Sequence, residues 1–239
     1  MSVDVRPARR DDRRHAVRIL AGALHADPGW VHVATDPVRR AHVLNAVLTA
    51  AVADAGPHAD VAERGGRLAG VAVWQPPGRW PMSAARRLRV LPHVLPLLRL
   101  GPAGREARRL GDAVDAAFPP EPVAYLQVLG VDPAVQRTGV GRALLAEGLR
   151  RADRDRFAAY LETSSATNVA YYRASGFAVL GEPGPLIPGG PVMWRMRREP
   201  ATRVRPAPPD RVADLAPGKV VPRALGPRNG RERTPFPPR

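Results

Sequence analysis

The segment Tyr125–Arg142 limits the possible folds of this chain more than any other stretch. It opens with a nearly continuous apolar run, as is typical of a strand buried on both faces. Asp132-Pro133 ends the run, because proline lacks an N–H and disfavours helical geometry in the residue before it. A loop with two glycines follows and leads directly into a helix with one apolar stripe, formed by Leu144, Leu145, Leu149 and Ala152. The segment therefore predicts a strand, a glycine-containing loop and a helix in succession.

This succession predicts an anion-binding site at the start of the helix. The first amides of a helix lack backbone partners, the helix dipole places positive charge there, and glycine lets a ligand approach the backbone. Arg137 and Arg142 add positive side chains. A Walker loop is excluded because Lys219 is the only lysine, and a Rossmann fingerprint lacks its third glycine, where Leu144 stands. The expected ligand is a phosphate or pyrophosphate group.

The same loop resembles an acetyl-CoA signature. The run from Gln136 to Gly141, QRTGVG, is similar to the Q/RxxGxG/A motif of the GNAT N-acetyltransferases. The strand Tyr160–Ser165 and the element Asn168–Phe177 are also similar to later parts of that family. The LETS sequence in that strand and the closing segment Gly190–Arg197 are most similar to the puromycin N-acetyltransferase-like branch. The resemblance covers about Val123–Arg198, and the first half of the chain fits it more loosely.

The resemblance implies an α+β fold of the GNAT type. We expect a mixed central sheet of six to seven strands, flanked by helices and splayed between the fourth and fifth strands. Residues 79–121 predict a helical insertion before the fourth strand, with a first helix kinked or split by Pro92 and Pro96. These helices either cap the acceptor pocket, as a lid that moves, or only extend the core.

Composition favours one domain followed by a tail. A chain of 239 residues can bury one sizeable core, and we expect an acetyltransferase domain over residues 1–199. Residues 200–239 are rich in proline and arginine with little apolar periodicity, which predicts disorder. The chain has no cysteine, which excludes disulfides and a cysteine acyl-enzyme. It also lacks a signal-peptide core and a membrane-length apolar stretch, so we expect a cytoplasmic protein without membrane contact.

The formal net charge of +15 invites a nucleic-acid partner, but its distribution argues against one. Part of the excess lies in the predicted tail, and arginine supplies nearly all of it. The six histidines show no paired ligand spacing, so no metal is expected. The resemblance implies a small-molecule amine as partner, and we expect the protein to be a monomer or a homodimer.

The cofactor implied by the resemblance is acetyl-CoA. Its pantetheine arm would insert between the splayed strands and pair with backbone groups of Leu129 and Val131. Asn168 would hydrogen-bond the arm, cap its own helix, or do both. The pyrophosphate would lie on the loop and the helix start, whose residues are Gln136, Arg137, Thr138, Gly139, Val140, Gly141 and Arg142.

Two side chains are candidates for proton transfer. Tyr172 matches the family tyrosine that protonates the departing sulfur, and the alternative is a packing role. Glu162 could accept the amine proton directly or through water, or bind a cationic amine. Several GNAT proteins carry a carboxylate on the facing strand, where this chain has Tyr125 and Gln127, so either Glu162 or a water relay must serve.

Acceptor contacts are expected on both sides of the reaction centre. Tyr125 and Gln127 lie on the fourth strand, and Asp27 and Trp30 lie in the connection of residues 25–36 that borders the acceptor site in GNAT folds. Alternatively, Asp27 and Trp30 belong to a surface turn with a tryptophan that covers the core. The expected function is direct transfer of acetyl, in a ternary complex, to a primary amine such as an aminonucleoside or another antibiotic.

Three other functions stay open at this point. The acceptor could be a protein amine, and the chain could be a regulatory module that binds acyl-CoA without turnover. A basic nucleic-acid binder on an acetyltransferase fold is the third. Tyr172 argues against the module without turnover.

Overall fold

The computed structural model describes residues 2–201, which form eight strands and seven α-helices. The strands are β1 Val3–Pro7, β2 Ala59–Arg64, β3 Arg67–Gln75, β4 Ala124–Val131, β5 Ala159–Thr163, β6 Ala178–Val179, β7 Gly184–Pro185 and β8 Val192–Arg198. The helices are α1 Arg13–Leu24, α2 Pro28–Val33, α3 Pro37–Ala55, α4 Ala84–Val94, α5 Pro102–Ala116, α6 Val140–Asp155 and α7 Ala166–Arg173. The disorder predicted for residues 200–239 falls, beyond residue 201, outside the described residues.

One mixed sheet runs in the order β1-β2-β3-β4-β5-β8-β6, and β7 pairs with the outer part of β8. Neighbouring strands are antiparallel except for the parallel pair β4 and β5. This arrangement confirms the predicted α+β fold of the GNAT type. The sheet has eight strands rather than the expected six or seven, because it includes two very short strands, β6 and β7, of two residues each.

The parallel pair separates soon after it forms. β4 and β5 are in register only at Ala124 with Ala159 and at Tyr125 with Tyr160. Beyond Tyr125, β4 continues to pair with β3 up to Val131, so its other edge has no strand partner within residues 2–201. The predicted splay between the fourth and fifth strands is therefore confirmed.

Helices cover both faces of the sheet. Alternate residues of β3 point to opposite faces, so Val71 and Val73 pack under α1 and α3 while Ala72 and Trp74 pack under α6. The predicted apolar stripe of α6 is buried in that second layer. Gly148 of α6 lies directly against Trp74, and a Cβ at this position would overlap the indole ring.

The insertion before β4 is helical, as predicted, and its first helix is interrupted. α4 gives way to a short 3₁₀ helix over Leu95–Leu100, and α5 follows. The apolar face of this first segment, which includes Leu88, Leu91, Leu95 and Leu98, is largely exposed, with Leu88 at 70% and Leu98 at 80%. That face does not extend the core, whereas α5 packs on α2 and α3 through the cluster that includes Ala103 and Leu110.

Two local predictions were wrong. The connection of residues 25–36 contains α2, whose first turn starts with Asp27-Pro28 in the way that Asp36-Pro37 starts α3. α7 begins at Ala166, two residues before the expected start, so Asn168 does not cap it. The hydroxyl of Thr163 accepts from the Ser165 amide and favours the earlier start.

Candidate functional site

Two depressions adjoin where β4 and β5 separate. The outer groove, with a volume of about 900 Å³, lies between the end of β4, the start of α6 and α7. The inner cavity, of about 290 Å³, lies between β4, β5 and helices α2, α3 and α5. Five residues line both depressions and mark their junction: Leu24, Asp27, Leu129, Asn168 and Tyr172.

The loop before α6 opens its backbone to the outer groove. Arg137 and Gly139 adopt positive φ angles of 65° and 93°, and a Cβ at Gly139 would meet no atom within 4 Å. The first α-helical bond runs from the Ala143 amide to the Gly139 carbonyl, so the amides of residues 140–142 remain available to a ligand. Arg137 and Arg142 line the same groove and add positive charge.

The predicted cofactor residues fall into two groups. Leu129, Val131, Gln136, Arg137, Gly139, Gly141, Arg142 and Asn168 line the outer groove. Thr138 and Val140 do not line it, because Thr138 Oγ1 donates to the Val135 carbonyl at 2.7 Å and Val140 is buried in the core. Gln136 Nε2 donates to the Val131 carbonyl at 3.3 Å, so this side chain also holds the loop.

The inner cavity combines an apolar wall with a few polar groups. The wall includes Trp30, Trp80, Leu110, Val114 and Met193. Its carboxylates are those of Asp27 and Glu162, and no arginine, lysine or histidine lines it among the described residues. A cavity of this kind favours a cation with an apolar body, whereas the arginine-lined outer groove favours an anion.

Tyr172 lies at the junction of the two depressions, on α7. Its residue surface is 8% exposed, and its ring packs edge-on against Tyr171 and Phe177. Burial, with smaller contributions from Tyr171 and Asp27, raises the pKa of the Tyr172 phenol well above its ordinary range. The phenol therefore keeps its proton at neutral pH, and its raised pKa makes it a weaker acid than an exposed tyrosine.

Glu162 lies on β5 and lines the inner cavity. Its Oε1 is buried and has no hydrogen-bond partner of standard geometry within the part of the chain that the structure describes. Burial raises the pKa of this carboxyl to about 7, and the nearby hydroxyls of Tyr160 and Tyr125 oppose part of the rise. A carboxyl with a pKa near neutrality is able both to accept and to release a proton at physiological pH.

Tyr125 and Trp30, both predicted acceptor contacts, line the inner cavity. Tyr125 is buried among aromatic rings, with centroid distances of 5.4 Å to Trp80, 5.1 Å to Phe118 and 5.9 Å to Tyr160. Much of its surface therefore supports the wall of the cavity. Trp30 also packs with the clusters under α3, so it covers part of the core as well as lining the cavity.

Asp27 has a structural role as well as a place at the junction. Its Oδ1 accepts from the Gly29 amide at 3.0 Å and from Ser164 Oγ at 2.6 Å. Ser164 Oγ in turn accepts from the same Gly29 amide at 3.0 Å. Helix α2 is thus fixed to the end of β5, and sequence reasoning did not identify Ser164.

Gln127 lines the inner cavity and is the last member of a buried polar chain. Its Oε1 accepts from Gln75 Nε2 at 2.9 Å, and Gln75 Nε2 also donates to Asp54 Oδ2 at 3.2 Å. Arg79 and Arg86 donate to Gln75 Oε1 at 3.2 Å and 3.0 Å. Arg86 belongs to α4, so the insertion helps to hold Gln127 in place through Gln75.

Sequence reasoning missed several cavity residues supplied by the insertion and the last strand. Trp80, Leu110, Val114 and Met193 line the inner cavity, although their sequence positions carry no motif. The sequence predicted a helical insertion over residues 79–121, but not which other elements its helices would meet.

Metal sites and membrane-spanning helices are the two other features considered for the described range. Within residues 2–201, no group of three His, Asp or Glu side chains is placed to hold a metal ion. None of the helices described is both long enough and apolar enough to cross a membrane.

Comparisons with known proteins agree with this geometry. A model of the acetyltransferase (GNAT) family matches residues 30–177. A crystal structure described as histone acetyltransferase HPA2 and related acetyltransferase, from Corynebacterium glutamicum, is 28% identical, with a TM-score of 0.61 over 85% of this chain and 99% of that chain.

Two insect enzymes share the fold at lower identity. Polyamine N-acetyltransferase from Drosophila melanogaster is 14% identical, with a TM-score of 0.52 over 83% of this chain and 100% of that chain. Arylalkylamine N-acetyltransferase 2 from Aedes aegypti is 14% identical, with a TM-score of 0.53 over 83% of this chain and 99% of that chain. At these identities the similarity shows the fold alone.

Proposed function

This chain belongs to the acetyltransferase (GNAT) family, and we propose that it moves an acetyl group from acetyl-CoA to the primary amine of a small molecule. The observation that carries the proposal is the junction at Tyr172. There an arginine-lined groove, suited to an anion, meets a cavity with carboxylates and an apolar wall, suited to an amine.

The outer groove has the features that a CoA ester requires. The open edge of β4 beyond Tyr125 offers backbone groups to an extended amide-containing arm. The amides at the start of α6, with Arg137 and Arg142, suit a pyrophosphate. Tyr171 lines the groove with a buried hydroxyl that has no hydrogen-bond partner within residues 2–201, so a ligand oxygen would satisfy it.

Acetyl-CoA, when bound, supplies the acetyl group as an activated thioester. Tyr172 holds a proton at the junction and donates it to the departing sulfur. Glu162 accepts the proton of the attacking amine, directly or through water, because its pKa of about 7 leaves a large fraction ionised at neutral pH. Backbone N–H groups on the open edge of β4 orient and polarise the carbonyl that is attacked.

The transfer is direct. The chain contains no cysteine to form an acyl-enzyme, and both substrates reach Tyr172 from opposite sides. With acetyl-CoA bound, the amine nitrogen would gain the acetyl group and the carbon–sulfur bond of the thioester would be lost. The proton lost by the amine goes to Glu162, and the sulfur receives one from Tyr172.

A small acceptor fits this cavity better than a protein does. The inner cavity holds about 290 Å³ and is closed on several sides by α2, α3 and α5. A protein amine would have to enter as a narrow side chain or terminus. An aminonucleoside or another aminated antibiotic, which the sequence resemblance suggested, is one small amine of the expected size class and belongs among the compounds to be tested.

The test is turnover with a panel of amines. The purified protein is mixed with acetyl-CoA and single amines, and free CoA is measured with a thiol reagent. We expect CoA release with at least one small amine, and acetyl-CoA binding by calorimetry without any amine. Binding of acetyl-CoA without turnover of any small amine, but with acetylation of protein substrates, would overturn the small-molecule assignment. Absence of binding would overturn the cofactor assignment.

A further inference from the structure

We propose that the acceptor carries one cationic amine on an apolar, ring-sized body that also bears an oxygen able to accept a hydrogen bond, and that Gln127 Nε2 recognises this oxygen. The inference rests on the proposed function, because it concerns the amine that enters the inner cavity. It makes Gln127 a specificity-determining residue, positioned by Gln75.

The orientation of Gln75 follows from its neighbours. Arg79 Nε and Arg86 Nη2 both donate to one end of its amide, so that end must be the carbonyl oxygen. The other end must be the NH₂ group, which also suits the buried Asp54 carboxylate that it contacts. Asp54 has no exposed side-chain surface and pairs with Arg86, so this arrangement cannot reverse without leaving charged groups unpaired.

The orientation of Gln127 follows from that of Gln75. The Gln75 NH₂ donates at 2.9 Å and requires an acceptor, so Gln127 turns its Oε1 toward it. The Gln127 Nε2 is therefore the group left for the cavity that this residue lines. It has no partner among residues 2–201 and is not one of the fully buried polar atoms. A ligand in the cavity thus meets a hydrogen-bond donor, not an acceptor.

The other residues of the cavity limit the number of cationic groups that an acceptor can carry. Glu162 accounts for one cation, and Asp27 lies at the junction with two donors already bound to its Oδ1. The wall supplied by α3 and α5 is apolar, through Val47, Leu110 and Val114. A second cation at that end would be buried without a partner, which is strongly unfavourable. Polyamines are therefore disfavoured, and an aromatic or alicyclic body is favoured.

The experiment compares pairs of arylalkylamines that differ by one oxygen. Each ether-, hydroxyl- or carbonyl-bearing amine is paired with its deoxy analogue, and spermidine and agmatine serve as polycationic probes. For the wild type we expect at least one pair in which the oxygen raises kcat/KM by about tenfold or more, which is the scale of one good hydrogen bond. We expect spermidine and agmatine to be the poorest acceptors.

Three substitutions test whether the preference for oxygen-bearing amines comes from Gln127 Nε2. Gln127→Met keeps the side-chain length, removes the donor and should reduce the ratio within that pair to about one. Gln75→Met frees the Gln127 amide to turn and should reduce the ratio in part. Gln136→Met, the matched substitution in the outer groove, should leave the ratio unchanged. Because a ratio between two acceptors is measured in one protein, general loss of folding does not alter it.

The outcomes separate the two proposals. If no amine releases CoA and acetyl-CoA does not bind, the proposed function fails and this inference falls with it. If amines are acetylated but polyamines react faster than every arylalkylamine, only the inference fails. An unchanged ratio in Gln127→Met, with circular dichroism equal to that of the wild type, also overturns it.

Discussion

The hydroxyl of Ser164 donates a 2.6 Å hydrogen bond to the carboxylate of Asp27, 137 residues earlier in the chain. Asp27 caps α2 and Ser164 follows β5, so this contact fixes the helix that borders the inner cavity to the strand that carries Glu162. This bond and the one from the Gly29 amide to Ser164 Oγ therefore hold the two sides of the junction at Tyr172 together.

Replacing Tyr172 with phenylalanine should separate proton donation from packing. The ring contacts with Tyr171 and Phe177 remain, and only the hydroxyl is lost. We expect kcat to fall about 10²- to 10⁴-fold, the usual contribution of one general acid, with the Kd of acetyl-CoA little changed. Steady-state kinetics and calorimetry on the same preparation measure both. A fully active variant would return Tyr172 to a packing role.

Glu162 should impose an inflection on the pH–rate profile. Its pKa is about 7, and only the ionised carboxylate accepts a proton, so wild-type kcat/KM should rise through pH 7. Glu162→Gln should lack this inflection. Above pH 7 the loss caused by the substitution should shrink, because more of the amine is already neutral. An identical profile in both proteins would assign the base to water.

The same substitution should stabilise the protein at high pH. Burial raises the pKa of Glu162 from 4.5 to about 7, so the folded state disfavours the charged form. The resulting loss in the free energy of unfolding is absent below pH 4.5, grows between pH 4.5 and pH 7, and is complete above pH 7. At pH 8, Glu162→Gln should therefore raise the free energy of unfolding by about 1–3 kcal/mol and the melting temperature by a few degrees. Near pH 4.5 the variant and the wild type should melt at the same temperature.

The control for this stability measurement is Glu182→Gln, which makes the same change at an exposed position. We expect it to leave the melting temperature unchanged at both pH values. A gain for Glu162→Gln that is equal at pH 4.5 and pH 8 would contradict the linkage, since it would not follow the ionisation of the carboxyl.

Arg142 should contribute to acetyl-CoA affinity through its charge at the start of α6. It lines the outer groove and forms no ion pair within residues 2–201. Arg142→Gln should weaken acetyl-CoA binding about 5- to 30-fold, as expected for one partly exposed charge on a phosphate. Arg150→Gln, the same change farther along the helix, should stay within about twofold. Equal losses in both variants would indicate only a general field effect.

Gly148 should tolerate no side chain, because it lies against Trp74. Gly148→Ala is expected to destabilise the fold by about 1–3 kcal/mol through overpacking. Gly111→Ala in α5 is the matched control, since a Cβ there meets no atom within 4 Å. That substitution should stabilise by about 0.5–1 kcal/mol through helix propensity. Urea unfolding of the three proteins measures both effects, and a stable Gly148→Ala would refute the close contact.

The strand, loop and helix around Gly139 could be predicted from local chemistry. Proline, glycine and the apolar stripe of α6 act within a few residues, so one sequence carries enough information for them. The first helix of the insertion was predicted to be kinked or split by its prolines for the same reason, and it changes to 3₁₀ geometry next to Pro96, whereas Pro92 lies inside α4. The helix α2 was missed although Asp27-Pro28 carries the same start signal as Asp36-Pro37, because the whole helix is only six residues long.

The inner cavity could be predicted only in part. Trp30, Tyr125, Gln127 and Glu162 were expected there through the family resemblance, and they line it. Trp80 and Leu110 reach it through tertiary packing of the insertion, which no local pattern encodes. The Ser164 contact with Asp27 and the chain from Arg86 to Gln127 join residues far apart in sequence, so neither was foreseen.

Because of Arg86, the insertion cannot be exchanged independently of the rest of the fold. Its guanidinium neutralises Asp54 and holds Gln75, two buried residues that belong to the body of the fold. A graft that replaced residues 79–121 by a segment without an equivalent of Arg86 would leave the Asp54 carboxylate in the interior without this partner. Transfer of this acceptor selectivity to another protein of the same fold should therefore require Asp54, Gln75, Arg86 and Gln127 together, and not the insertion alone.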